Sequence, residues 1–585
     1  MALKKEGETE REAGRRSAGD RYRTRLILIF FFVGLVILPA RLFYLQSWVK
    51  ESLTRKVERQ RQKSILLEGE RGRILDRNGK ILAANLEVPS VYAIPSRIEN
   101  PSAVAGELSL ILGMPKSIIE EKLTEERPFV WLKRKVLPST AAAVDNLGFE
   151  GVGTQTEPDR FYPKKHLMGH ILGFTGAENQ GLEGVERRYE ESLQGKKMRV
   201  VLEQDARGVV VFTKSLNYRL PRRGQDIALT IDETIQYISE KELDAMMAET
   251  KAESGTVIVM RPRTGEVLAW VVRPDFNPNS VNSYSPSDWR NRAITDSYEP
   301  GSTFKIITAS AALEEHVVSP NEQIYCENGS YQIDGKAIHD HTKEGTLTFS
   351  QVIAKSSNIG TAKVALRLGD EKLRKYIQAF GFGAKTGIDL GGEASGVIRA
   401  SGPWAHRTLA TVAIGQGISV TPLQMASAFA TVANGGLYVK PILVKTPAES
   451  GPKDGENRGE SVRRVISEKT ARELTRILGE VVQTGGTGER AAVEGYLVAG
   501  KTGTAQLVDP ETKTYSPDRF IGSFGGFIPA NDPQLVILVV INQPKGVSWG
   551  GSVAAPVFRN IARQTLGYLG VAPYDTRRML VVRNE

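Results

Sequence analysis

A chain of 585 residues exceeds one ordinary hydrophobic core, so two or three domains are expected. Its 41% hydrophobic and 25% charged residues describe a globular protein, and a net charge of +10 suits an anionic membrane surface or wall polymer as well as plain solubility. No basic block marks a nucleic-acid surface, and the single cysteine, Cys326, excludes an intrachain disulfide and argues against a cysteine-ligated metal site.

The first 25 residues form a basic tail in which Arg15, Arg16, Arg21, Arg23 and Arg25 precede an apolar stretch. That stretch, Leu26–Leu45, carries one charge, Arg41. As a helix it is about 30 Å long, the thickness of the hydrocarbon layer. The basic prelude places the amino end in the cytoplasm. A cleaved signal peptide is the competing reading. Leu38 is too bulky for the minus-three position of a cut after Ala40, and aliphatic residues run on to Leu45, so an uncleaved transmembrane anchor is expected.

Residues 46–68 are polar with helical character, a stalk. From Gly69 to about Arg223, short strands alternate with turns. Ile74-Leu75, the turn Asp76-Arg77-Asn78-Gly79 and Ile81-Leu82-Ala83 predict a hairpin. Asn179–Gly184 precedes a polar helix containing Glu186 and Tyr189. No catalytic grouping occurs there, so 46–223 is expected to be stalk and non-catalytic pedestal, mainly β or mixed.

Beyond residue 224 the pattern predicts a helix over Ile231–Met247, strands at Thr256–Met260 and Glu266–Val272, helices at Glu371–Ala379 and Pro422–Ala433, and a hairpin of Ile521–Ile528 with Leu535–Ile541. Helices inserted between the early and late strands of one antiparallel sheet make an α+β domain over 224–570. Glu449–Glu460 reads as an exposed loop, and 571–585 as a polar tail. His339 and His341 lack a third ligand nearby, so no metal or cofactor is expected.

Three short motifs carry the chemistry, each weak alone. Ser302-Thr-Phe-Lys305 follows the turn Tyr298-Glu-Pro-Gly301 and opens an apolar helix. Ser302 then lies in the first turn, where free amides favour negative charge, and Lys305 sits on the same face one turn on. A lysine whose pKa is depressed by burial and positive neighbours accepts the serine proton. Ser356 and Asn358 are placed to relay that proton and to orient Lys305; alone they would read as helix-end caps. Leu497–Gly500 leads Lys501-Thr502-Gly503-Thr504 into an edge-strand pattern. Alternation sends Lys501 and Gly503 one way, Thr502 and Thr504 the other, and the glycine admits a close-lying extended substrate. The amides of Ser302 and Thr504 form a candidate oxyanion hole; Lys501 and Thr502 are candidates to hold a carboxylate. Decoys exist at Ser47-Trp-Val-Lys50, Ser280-Val-Asn282 and Lys385-Thr-Gly387, and their contexts are poorer.

With these motifs in order, together with Arg71–Gly79, Arg160-Phe-Tyr-Pro163, Gly181-Leu-Glu-Gly184 and Gly415-Gln-Gly417, the chain resembles the class B penicillin-binding proteins, most of all the division-specific, septal peptidoglycan transpeptidases. The resemblance runs from the anchor to about residue 570. It implies an anchor in the plasma (inner) membrane at the division site, a periplasmic catalytic domain, and a pedestal that meets partners. It also implies that Ser302 attacks the penultimate D-Ala of a stem peptide, releases terminal D-Ala, and is acylated by β-lactams. The substrates are then stem peptides on glycan strands made from lipid-linked precursors. A partner glycosyltransferase and division proteins are implied too, because the length before the pedestal leaves no room for a glycosyltransferase. The short segment after residue 570 leaves none for carboxy-terminal wall-binding repeats, which lowers the expectation of a sporulation relative. Elongation- or sporulation-specific transpeptidases, a β-lactamase or D,D-carboxypeptidase, and a catalytically silent division scaffold stay open as alternatives.

Overall fold

The computed structural model describes residues 3–67, 69–204, 210–211, 222–398, 402–445, 462–509, 511–512, 514–547 and 549–573. The expected loop at Glu449–Glu460 and the tail beyond residue 573 lie outside these residues. The chain divides into two compact units, one of residues 1–69 with 196–222, the other of 70–195 with 223–585.

In the first unit, helix α1 (Leu3–Ser47) contains a span, Arg21–Ser47, whose most apolar 18 residues have mean hydropathy 2.6 and are not buried. It is a single membrane-spanning helix near the amino end, consistent with a type II topology. A second helix covers Lys50–Arg61. The stalk does not stay helical to residue 68. Ile65-Leu66-Leu67 ends a strand, Gln62–Leu67, that pairs antiparallel with Met198–Gln204. Leaving the polar run for these aliphatic residues trades helix for strand.

The pedestal begins the second unit. Its predicted hairpin forms, with Ile74 opposite Ala83 and Leu75 opposite Ile81. The Asp76 carboxylate accepts from the amides of Asn78 and Lys80, closing the turn. Ile81–Ala93 continues as the long strand of the sheet, paired with Val152–Phe161 and Val130–Lys133. Over it, Pro101–Leu112 buries Val104, Leu108 and Leu112 at helical spacing, capped by Asn100 accepting from the Ala103 amide. Glu186, expected on a polar helix, is instead fully buried between Arg71 (2.7 Å) and Arg160 (2.6 Å). The segments holding Arg71, Arg160 and Glu186 are thereby locked together, because a buried carboxylate persists only when paired.

The catalytic part is an antiparallel five-stranded sheet of β1 (Ser254–Met260), β2 (Val267–Arg273), β3 (Ala499–Val508), β4 (Tyr515–Ile528) and β5 (Leu535–Asn542), in the order β2-β1-β5-β4-β3. Helices α2 (Glu233–Thr250) and α7 (Ala555–Tyr568) pack on this sheet, as does α5 (Pro422–Ala433). Central strands covered on both faces read as continuous apolar runs rather than alternating ones; β5 is buried at every position from Leu535 to Ile541. Between β2 and β3 the chain inserts its helical region, including α3 (Lys305–Glu314), α4 (Asn358–Leu368) and α6 (Glu468–Glu480). The order leaves β3 as an edge strand facing that region.

Candidate active site

Ser302 lies in a 3-10 turn, Gly301–Phe304, and not in the α-helix itself, which starts at Lys305. Pro300 and the left-handed Gly301 stop an α-helix from reaching further back. The turn is stitched to the Gly415-Gln-Gly417 loop. The Gly301 amide donates to the Gly415 carbonyl at 3.0 Å, the Gly417 amide donates to Glu299 Oε1 at 2.8 Å, and Tyr298 and Val420 exchange two backbone bonds. The Ser302 hydroxyl makes no hydrogen bond among the described residues.

Lys305 is fully buried. Its Nζ donates to the Ser356 carbonyl (2.6 Å), to Asn358 Oδ1 (2.8 Å) and to Ser356 Oγ (3.2 Å). The same Ser356 Oγ accepts from Lys501 Nζ at 2.9 Å, so residues from all three motifs meet at one hydroxyl oxygen. Burial drives the Lys305 pKa down to about 7, with Asp340 and Cys326 pulling the other way. Lys501, also fully buried, is pushed well below the ordinary lysine range by burial and by the Lys305 charge. Two ammonium groups sharing one oxygen in a dry site cannot both hold their protons at ordinary cost, so the pair titrates as a unit.

Ser356 reaches this position through a left-handed backbone, φ +62°, between the helix ending at Ala354 and α4. For a serine that costs about 1–2 kcal/mol. Ser357 caps α4 by accepting from the Gly360 amide. Sequence reading missed Asp340. Its Oδ1 accepts from the amides of Asn358 (2.5 Å) and Ile359 (2.9 Å), its Oδ2 accepts from Ser357 Oγ (2.6 Å), and the neighbouring His339 carbonyl holds Asn358 Nδ2 at 2.9 Å. An anion at a helix N-terminus is favourable on its own, and here it also sets where Asn358 points. The only local signal was the paired histidines around it.

On the edge strand, Lys501 points into the cluster and its Nζ also donates to the Thr502 carbonyl at 3.2 Å. Thr502 Oγ1 shares a 2.8 Å hydrogen bond with Thr487, another residue that sequence reading passed over. Thr504 Oγ1 accepts from the Gly550 amide at 3.2 Å. The structure adds a second reason for glycine at position 503. A Cβ there would lie 2.4 Å from Ser523 Oγ, 2.9 Å from Thr303 Cγ2 and 3.0 Å from the Pro300 carbonyl, so the glycine also permits the close approach of the Gly301–Phe304 turn. The second Lys-Thr-Gly, at 385–387, is a loop tied by Thr386 and Gly387 to the buried Glu393. His341 stacks against Trp549, ring centres 4.0 Å apart, and no described residues form a cluster that would hold a metal.

The family model of the penicillin-binding protein transpeptidase domain matches residues 255–563, and that of the penicillin-binding protein dimerisation domain matches residues 66–229. The chain is also 38% identical to Stage V sporulation protein D of Bacillus subtilis, over 94% of its own length and 86% of that protein. It belongs to the class B penicillin-binding proteins. Among other relatives of this class B penicillin-binding protein, the peptidoglycan D,D-transpeptidase FtsI of Escherichia coli is 32% identical over 94% of this chain and 92% of its own. The crystal structure of penicillin-binding protein 3 of Mycobacterium tuberculosis with aztreonam superposes at a TM-score of 0.67, with 28% identity, covering 87% of this chain and 98% of that one. The class B penicillin-binding protein described here is therefore a peptidoglycan D,D-transpeptidase that reacts through an active-site serine.

Proposed function

We propose that this transpeptidase crosslinks stem peptides of septal wall with Ser302 as nucleophile. The observation that carries the reading is the shared Ser356 hydroxyl, which takes hydrogen bonds from both Lys305 and Lys501. With Lys305 neutral, its lone pair takes the Ser302 proton as Oγ attacks the carbonyl carbon of the penultimate D-Ala. The amides of Ser302 and Thr504 receive the developing oxyanion, and Lys501 with Thr502 holds the donor carboxylate. The C–N bond then breaks, and the proton on Lys305 passes through Ser356 to the departing D-Ala amine. An amine from a neighbouring stem attacks the ester, gives its proton back through the same groups and frees Ser302. Asn358 orients Lys305 throughout. A β-lactam presents the same carboxylate and carbonyl but keeps its leaving group tethered, so the acyl-enzyme persists. The domain sits outside the plasma membrane at the division site, where a glycosyltransferase supplies the strands.

A second reading, a sporulation-stage role, is favoured by the identity to Stage V sporulation protein D. Fluorescent penicillin on the purified protein and its Ser302→Ala form, followed by peptide mapping, tests the chemistry. Stable label at Ser302, lost in the variant, supports it; label elsewhere or rapid turnover overturns it. A tagged chain then separates the cellular roles: a band at division sites of growing cells supports the septal reading, and appearance only in sporulating cells replaces it.

A further inference from the structure

A cavity of about 710 Å³ lies away from the catalytic cluster, where the pedestal segment Gly169–Arg188 meets Phe276–Thr295 and Leu390–Gly392 of the catalytic part. Its size falls in the roughly 300–1,000 Å³ range of small-ligand sites. One wall is aromatic. Trp289 and Phe276 line it, both packed edge-on against Phe174 at 5.0 and 6.1 Å. The indole N–H of Trp289 is buried and has no acceptor, a donor left unpaid in a wall where polar groups are ordinarily paired.

The rim is cationic. Arg187, Arg188 and Arg290 line the cavity against one acid, Glu183. Arg290 is paired with Asp296 at 2.6 Å and Arg187 reaches Glu183 only at 3.8 Å. Arg188 has no ion pair among the described residues and lies over the Tyr189 ring. Two kinds of glycine shape the walls. On the pedestal side, a Cβ at Gly184 would fall 2.5 Å from the Gly173 amide nitrogen, so backbone packs on backbone. Opposite, a Cβ at Gly391 would meet nothing within 4 Å and one at Gly392 nothing nearer than 3.5 Å. There the missing side chains hold space open.

The half-buried Trp289 ring suits the C–H face of a sugar ring, and Arg188, with no ion pair among the described residues, suits a carboxylate. We propose that this cavity is a second saccharide site that takes an amino-sugar unit of the wall polymer bearing a free carboxylate. The proposal rests on the transpeptidase reading for the class of ligand and on the cavity for its place. The lining segment Arg290–Thr295 runs on to Tyr298–Ser302, so an occupant here touches the strand of chain that ends at the nucleophile.

The test is calorimetric titration of the full-length protein in detergent, acylated beforehand with penicillin, using N-acetylglucosaminyl-N-acetylmuramic acid. That probe carries the free lactyl carboxylate on its amino sugar and no stem peptide, so it cannot serve as donor. Saturable binding is expected, equal in acylated and free protein, and weakened at least about tenfold by Arg188→Glu with Arg290→Glu, the size of one lost charge-assisted contact. The single Arg187→Glu change, on a side chain 70% exposed, weakens it in the same direction without risk to the fold. Binding only to unacylated protein places the sugar in the catalytic cleft and overturns the proposal, as does absence of binding or equal binding by the double variant. Should penicillin fail to label Ser302, the functional reading fails on that count, and the same titration on unlabelled protein with the arginine variants still decides the cavity.

Discussion

At the scale of single residues, the site is governed by where one proton sits. In the proposed reaction Lys305 must be neutral to act as base, and burial brings its pKa to about 7. The acylation rate is therefore expected to climb about tenfold per pH unit below 7 and to level off above it, as stopped-flow penicillin labelling would record. Asp340 pulls that pKa upward, so Asp340→Asn shifts the midpoint to lower pH. The same change weakens the start of α4 by about 1–2 kcal/mol, seen in thermal melts. Stability carries the opposite face of this balance. Between about pH 7 and the ordinary lysine pKa of 10.5, the unfolded chain binds more protons at Lys305 than the folded one. This group therefore makes stability rise with pH across that window, and Lys305→Met lowers the slope to what Lys501 contributes. The grouping of Lys305, Ser356, Asn358 and Lys501 was legible because each motif is local and ordered along the chain. Asp340 and Thr487 were not, since their meaning comes only from segments that tertiary structure brings beside them.

At the scale of elements, the Gly301–Phe304 turn and the edge strand β3 are fitted to each other. Gly503 has no room for a methyl group between Ser523, Thr303 and Pro300. Gly503→Ala is expected to cost about 1–3 kcal/mol of stability. It should also slow acylation by up to about a hundredfold, because a displacement near 1 Å ruins attack geometry. Melting curves and labelling rates separate the two effects. In the pedestal, Glu186→Ala leaves Arg160 buried without an ion pair among the described residues and Arg71 with Glu190 alone, and is expected to destabilise by about 3–5 kcal/mol, measured by denaturant unfolding. The strands and helices themselves were readable: Pro422–Ala433 begins at proline and ends at alanine as its pattern predicts. The strand at Gln62–Leu67 was not, because its partner, Met198–Gln204, lies far along the chain.

At the scale of the whole molecule, anchor, pedestal and catalytic part follow one another in sequence, but the sheet of the pedestal closes only when Ile227–Ala228 returns to pair in parallel with Ile74–Leu75. Linear order gave the α+β class and the inserted helices; it had no way to reveal this return strand or the cavity beside the junction. Removal of residues 1–47 takes away α1, the apolar helix, and is expected to move the protein to the soluble fraction while penicillin still labels Ser302. Fractionation followed by in-gel fluorescence checks both halves of that statement.

The free edge of β3 has a further consequence, for drug resistance. A ligand laid along that edge is read by main-chain amides and carbonyls, which no codon change can replace. With the proposed donor seat on β3, escape from a β-lactam has to come from residues that tilt, shield or stiffen this row, and each such change also disturbs the seat proposed for the natural peptide. Resistance in this protein is therefore expected to be built in small, mutually compensating steps spread around the strand, with wall synthesis slowed along the way.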